Sequence, residues 1–134
     1  MTFLTRKNLT LATALLFSSL SQAHDNATLD AMASPHGGVV RMAGAYHMEL
    51  LLKPNQALLF ITDHGGKSIA TQGGSAELTL LGKQKSLIQL KATTGNQLQG
   101  NSDALTSGQY RAVVKLKLPG QEEQMAQFSG LTIK

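Results

Sequence analysis

The sequence predicts an all-β fold, a β-sandwich of about seven short strands, with a small β-barrel as the competing way to close them. Two observations predict it. From Val39 onward the chain breaks into short runs of apolar and β-branched residues, separated by Gly, Pro and Asn. Several runs alternate apolar with polar residues, the period of a strand with one wet face. No segment after residue 24 carries a sustained helical period.

The strands read off in order. Val39 to Met42 follows the turn signal Ser34-Pro35-His36-Gly37-Gly38. Tyr46 to Leu52 runs from Gly44 to Lys53-Pro54-Asn55. Ala57 to Thr62 is apolar on both faces, which predicts a central strand, and it ends at Asp63-His64-Gly65-Gly66-Lys67. Ser75 to Leu81 follows Gly73-Gly74, and Leu87 to Ala92 stops before Gly95-Asn96. Tyr110 to Leu118 alternates well: Ala112, Val114, Leu116 and Leu118 suit a core, Arg111, Lys115 and Lys117 suit water, and Val113 is the exception. Met125 to Ile133 is the last. Lys67 to Ala70 and Gln97 to Gln99 read as short added edges. Asp103 to Gly108 delivers Tyr110 to the head of its strand, where the ring is either ordinary core edge or a hydroxyl cap on a crossing loop.

The first 23 residues read as a secretory signal peptide. Arg6 and Lys7 form the positive start, Leu9 to Leu20 the apolar stretch, and Ser21-Gln22-Ala23 the small-x-small cleavage site. The apolar stretch is too short to span a bilayer, which needs about 20 residues. The expected organisation is a signal peptide at 1–23, a flexible arm at 24–35 and a β-sandwich domain at 36–134. Without a lipobox cysteine at the cleavage point, the expected compartment is the bacterial periplasm.

Cleavage after Ala23 removes two cations and leaves ten Lys or Arg against eight Asp or Glu. Lys53, Lys67, Lys83, Lys85, Lys91, Lys115 and Lys117 are scattered along the chain and read as separate solvent contacts, so nucleic acid is not an expected partner. There is no cysteine, hence no disulfide and no thiolate ligand. There is no Gly-x-Ser-x-Gly, no His-Glu-x-x-His and no phosphate loop leading into a helix. The expectation is a protein that is not an enzyme.

The residues with chemistry to offer are the histidines, all in the first half of the exported segment. His47 and Glu49 lie two apart in a strand and share a face. An imidazole and a carboxylate there suit Zn(II) or Cu(II), or form a plain polar face. His36 gains freedom from Gly37 and Gly38. His64 follows Asp63, which could ligate, orient an imidazole, or cap the turn. His24, as a new N-terminus, would offer an α-amine and an imidazole to Cu(II). The candidate metal set is therefore His24, His36, His47, Glu49, Asp63 and His64.

His36-Gly37-Gly38, Gly44-Ala45-Tyr46-His47-Met48-Glu49-Leu50 and Phe60-Ile61-Thr62-Asp63-His64-Gly65-Gly66-Lys67, in that order, resemble small periplasmic proteins encoded with heavy-metal efflux and copper-resistance systems. They are also similar to the N-terminal domain of some metal-efflux adaptor subunits. The resemblance implies an immunoglobulin-like or related sandwich and a role near periplasmic metal handling. Two functions follow as expectations. One is an accessory protein that buffers Cu(II) or Zn(II) or delivers it to an efflux or resistance system. The other is a non-metal protein–protein adaptor that docks a periplasmic pump subunit. Exposed strand edges would also permit a homodimer.

Overall fold

The computed structural model describes residues 34–134. The expected signal peptide at 1–23 and the arm residues 24–33, His24 among them, lie outside the described residues. Eight strands form: β1 (Val39–Ala43), β2 (Tyr46–Lys53), β3 (Gln56–Asp63), β4 (Ser75–Leu81), β5 (Lys85–Ala92), β6 (Gln97–Asn101), β7 (Gly108–Lys117) and β8 (Gln124–Ile133). The predicted runs survive with ends moved by one or two residues.

All eight belong to one antiparallel sheet in the order β1-β2-β3-β6-β5-β4-β7-β8. The outermost strands, β1 and β8, come together across the open side without sharing a ladder. The architecture is a nearly closed barrel, nearer the barrel alternative than the two-sheet sandwich. The expected seven strands become eight because Gln97 to Gln99 is no edge. It is the core of β6, which pairs with β3 on one side and β5 on the other. Lys67 to Ala70 makes only an isolated bridge, Thr62 to Ser68.

β6 was hard to see because it offers one apolar side chain, Leu98, and then Gly100 on the same inward face. The glycine is required by close approach. A Cβ there would stand 2.5 Å from the Gln89 carbonyl oxygen on β5. A β-sheet strand with Gly is weakened in propensity, yet here the missing side chain lets backbones meet.

One face of the sheet curls around the core. Met48 and Leu50 from β2, Leu59 and Ile61 from β3, Leu78 and Leu80 from β4, Leu90 from β5 and Leu98 from β6 are almost fully enclosed. Ala112, Val114, Leu116 and Leu118 face inward as their alternation predicts. In β8 the alternation changes phase: Ala126 and Phe128 face in, and so do Leu131 and Ile133. The register slips between Tyr110 and Ala112, which adds a residue to β8 and restores its apolar face to the core.

Two connections pass over neighbouring strands, 64–74 from β3 to β4 and 102–107 from β6 to β7. Each is pinned. Fully buried Thr71 directs its hydroxyl at Gln97 O (2.9 Å) and Gly95 O (3.2 Å). Leu105 plugs the core, and its carbonyl accepts from Asn55 N–H at 2.9 Å. The Tyr110 hydroxyl donates to Thr106 O at 2.7 Å while the residue packs against the edge of the core, so it fills both of the roles open to it.

The crowding at Gly100 sets a prediction. Gly100→Ala has to displace the β5 backbone, and stability should fall by about 1–3 kcal/mol, the usual range for overpacking. Urea denaturation should show a lower midpoint with an unchanged slope.

Candidate functional site

Two tight hairpins set the register that builds the site. Val40 on β1, Glu49 on β2 and Phe60 on β3 stand opposite one another, and the next row is Met42, His47 and Thr62. All six side chains lie on the outer face, because Met48 and Leu50 between them point into the core. His47 and Glu49 share a face, as their spacing predicts.

The 34–37 turn closes with Gly37 N–H donating to Ser34 O and Gly37 in the left-handed region. It folds His36 back over this face. Gly38 then passes so close to β2 that a Cβ would stand 2.5 Å from Leu50 O. Glu49 is the anchor of the arrangement. Its Oε2 accepts from His36 N–H at 3.0 Å and Gly38 N–H at 2.9 Å, and its Oε1 meets His36 Nδ1 at 2.8 Å. The residue is only 5% exposed. A carboxylate so buried is tolerable because donors surround it. An ionised carboxylate only accepts, so His36 Nδ1 is the donor in this contact. The imidazole lies flat on Phe60, with ring centroids 3.6 Å apart and planes 4° from parallel. Phe60 is thus covered from outside the barrel, which is why β3 could be apolar on both faces.

His64 reaches back from the 64–67 turn, placing Nε2 3.0 Å from Gly44 O. A carbonyl only accepts, so Nε2 is the donor in this bond. Its ring lies 4.9 Å from that of His47, tilted by 38°. Asp63 is a turn cap. Its Oδ1 accepts from Gly65 N–H and Lys67 N–H, both at 2.9 Å.

The six predicted site residues therefore separate. His36 and Glu49 meet, and His47 and His64 meet. Asp63 Oδ1 serves the loop backbone, and His24 lies outside the described residues. Among the described residues no group of three or more His, Asp or Glu is arranged to hold a metal ion. What the face presents is a shallow cleft of about 240 Å³. Pro35, Val40 and Phe60 give it apolar walls, and His36, His47, Glu49, Thr62 and Gly66 complete the lining. Phe60 and the two backbone donors on Glu49 were absent from the sequence-derived set. Phe60 read only as half of a two-faced apolar strand. The donors had a faint signal: His36-Gly37-Gly38 offers backbone N–H groups with no strand partner in the pattern.

Glu49→Ala should strand those donors and release His36 from Phe60. The donors are only part-buried, so the loss is that of ordinary hydrogen bonds, and about 0.5–1.5 kcal/mol should be lost in denaturant unfolding. Glu49→Gln keeps an acceptor for the backbone and should cost less. In NMR spectra the His36 ring protons should lie upfield because of Phe60 and move downfield in Glu49→Ala.

No protein-family model matches the chain, and neither a curated protein nor a solved structure matches it significantly, so its likeness to the heavy-metal resistance proteins rests on the short motifs alone.

Proposed function

We propose that the exported domain is a non-catalytic docking module that binds another periplasmic protein, a pump subunit being the partner the motifs suggest. The observation that carries this reading is the use of the candidate carboxylates. Glu49 is committed to the His36–Gly38 backbone and to His36 Nδ1, and Asp63 Oδ1 to its own turn. Glu49 is thereby held away from an incoming ion, and Asp63 is held at one oxygen by its own turn. The cleft beside them has apolar walls from Pro35, Val40 and Phe60, with His47 and Thr62 at its side. A pocket with few polar groups on an apolar floor suits an aliphatic or aromatic side chain from a partner.

A second reading keeps the metal. The carboxylate on His36 Nδ1 is the arrangement that orients metal-binding imidazoles, and His47 and His64 lie close enough to share an ion. With two imidazoles and no carboxylate, Cu(II) or Zn(II) held there would need ligands from water or from a partner.

Calorimetry with a purified periplasmic adaptor subunit of a metal-efflux pump separates the two. On the docking reading, affinity is the same in chelator as with added Cu(II) or Zn(II). Val40→Asp, which places a charge on the cleft wall, should weaken binding at least about tenfold, the effect of an unpaired charge at an interface core. If binding needs the metal and His47→Ala/His64→Ala abolishes it, the docking reading fails and the metal reading takes its place.

A further inference from the structure

The cations that look scattered along the chain meet on one outer face of the sheet. β4, β5, β7 and β8 carry five Lys or Arg and a single acid, Glu77. Their registers arrange the side chains in rows, which lie about 7 Å apart at two residues per row. Lys91 and Lys117 flank Ser75 at one end, and Lys85 and Arg111 flank Leu81 at the other. Between them, Leu87, Thr79 and Val113 form a row without charge, and the neighbouring row places Glu77 beside Lys115. Val113, the one break in the alternation of its strand, is therefore the apolar middle of a charged surface. Leu87 beside it is 61% exposed, and Met125, opposite Lys115, is 55% exposed.

None of the five cations makes an ion pair within the described residues. Lys117 donates to Gln121 O, a neutral carbonyl. Glu77 receives only a long contact from Gln89, at 3.5 Å. Glu123, from the turn between β7 and β8, borders the Lys115 and Lys117 end. The face is thus net basic, with an apolar centre and a charged border, which is the anatomy of a protein interface.

We propose that this face docks an acidic protein surface, one whose carboxylates meet the Lys85–Arg111 and Lys91–Lys117 rows and whose apolar centre seats on Leu87 and Val113. Its strand rows carry no aromatic side chain to stack a nucleic-acid base. The apolar contacts are aliphatic, without the large aromatic anchors of membrane-surface elements. The face lies on strands other than those of the cleft, and the proposal stands whether or not the cleft binds anything.

The test uses four probes: a Glu-rich peptide with interspersed Leu, the same peptide with Ser for Leu, oligothymidine, and phosphatidylglycerol vesicles. The Leu-containing peptide should bind most tightly, with amide shifts on β4, β5 and β7 of the wild-type chain. Arg111→Glu/Lys115→Glu should weaken it about tenfold or more, through lost steering and added repulsion. Leu87→Ser should reduce its affinity to that of the Ser peptide. Lys53→Glu and Val40→Asp should leave it unchanged. Shifts mapping elsewhere, affinity untouched by the Arg111 and Lys115 reversals, absence of peptide binding, or tighter binding to oligothymidine or vesicles would each overturn the proposal. The wild-type shift map decides even if a variant fails to fold.

Discussion

An antiparallel sheet with one apolar face, and no helix among the described residues to cover it, must cover itself. In this domain that constraint governs nearly everything else. The strands carry Leu, Ile, Val and Ala on one side, and the eight-stranded sheet curls until those sides meet. Curling brings backbones closer than side chains allow, which is why Gly100 sits beneath β5. It also requires each strand to keep its apolar row in phase, which is why β8 carries an extra residue before Leu131. The two passing connections are held by Thr71, Leu105 and Tyr110, whose hydrogen bonds satisfy loop backbone that has no ladder of its own.

A second, smaller apolar layer lies outside the barrel. Phe60 cannot reach the core, because Leu59 and Ile61 on either side already do. It is covered instead by His36, and His36 is held by Glu49. The interaction is economical in residues: one carboxylate orders a turn, orients an imidazole and shields an aromatic ring. The same economy lowers the standing of Glu49 as a ligand. A buried carboxylate that already has three donors has little reason to leave them for a solvated ion.

The basic face illustrates how charge acts through geometry. Lys85, Lys91, Arg111, Lys115 and Lys117 come from β5 and β7, with β4 between them. In the linear chain they are separated by loops, by β6 and by the core-facing residues that alternate with them. Antiparallel pairing aligns them across three strands. Mutual repulsion among exposed cations is modest in water and screened by salt, so the face can persist without internal partners. It also leaves the cations available to carboxylates from outside.

Alternation of residues near Val39, Tyr46, Ala57, Ser75, Leu87, Tyr110 and Met125 was enough to make the fold all-β and to locate seven strands, because a two-residue period is a local property. The inward set of β7 and the two-faced character of β3 were legible for the same reason. β6 was not, since Leu98 and Gly100 owe their placement to β3 and β5. The turn role of Asp63 was visible beside its alternatives, as capping acts over a few residues. Glu49 and His36 were visible as polar residues but not as partners, for 13 residues separate them and only the curl of β1 onto β2 joins them. Local chemistry chose strands, turns and the wet faces; which side chains meet, and therefore whether a histidine is a ligand or a lid, depended on contacts across strands that no short stretch of chain contains.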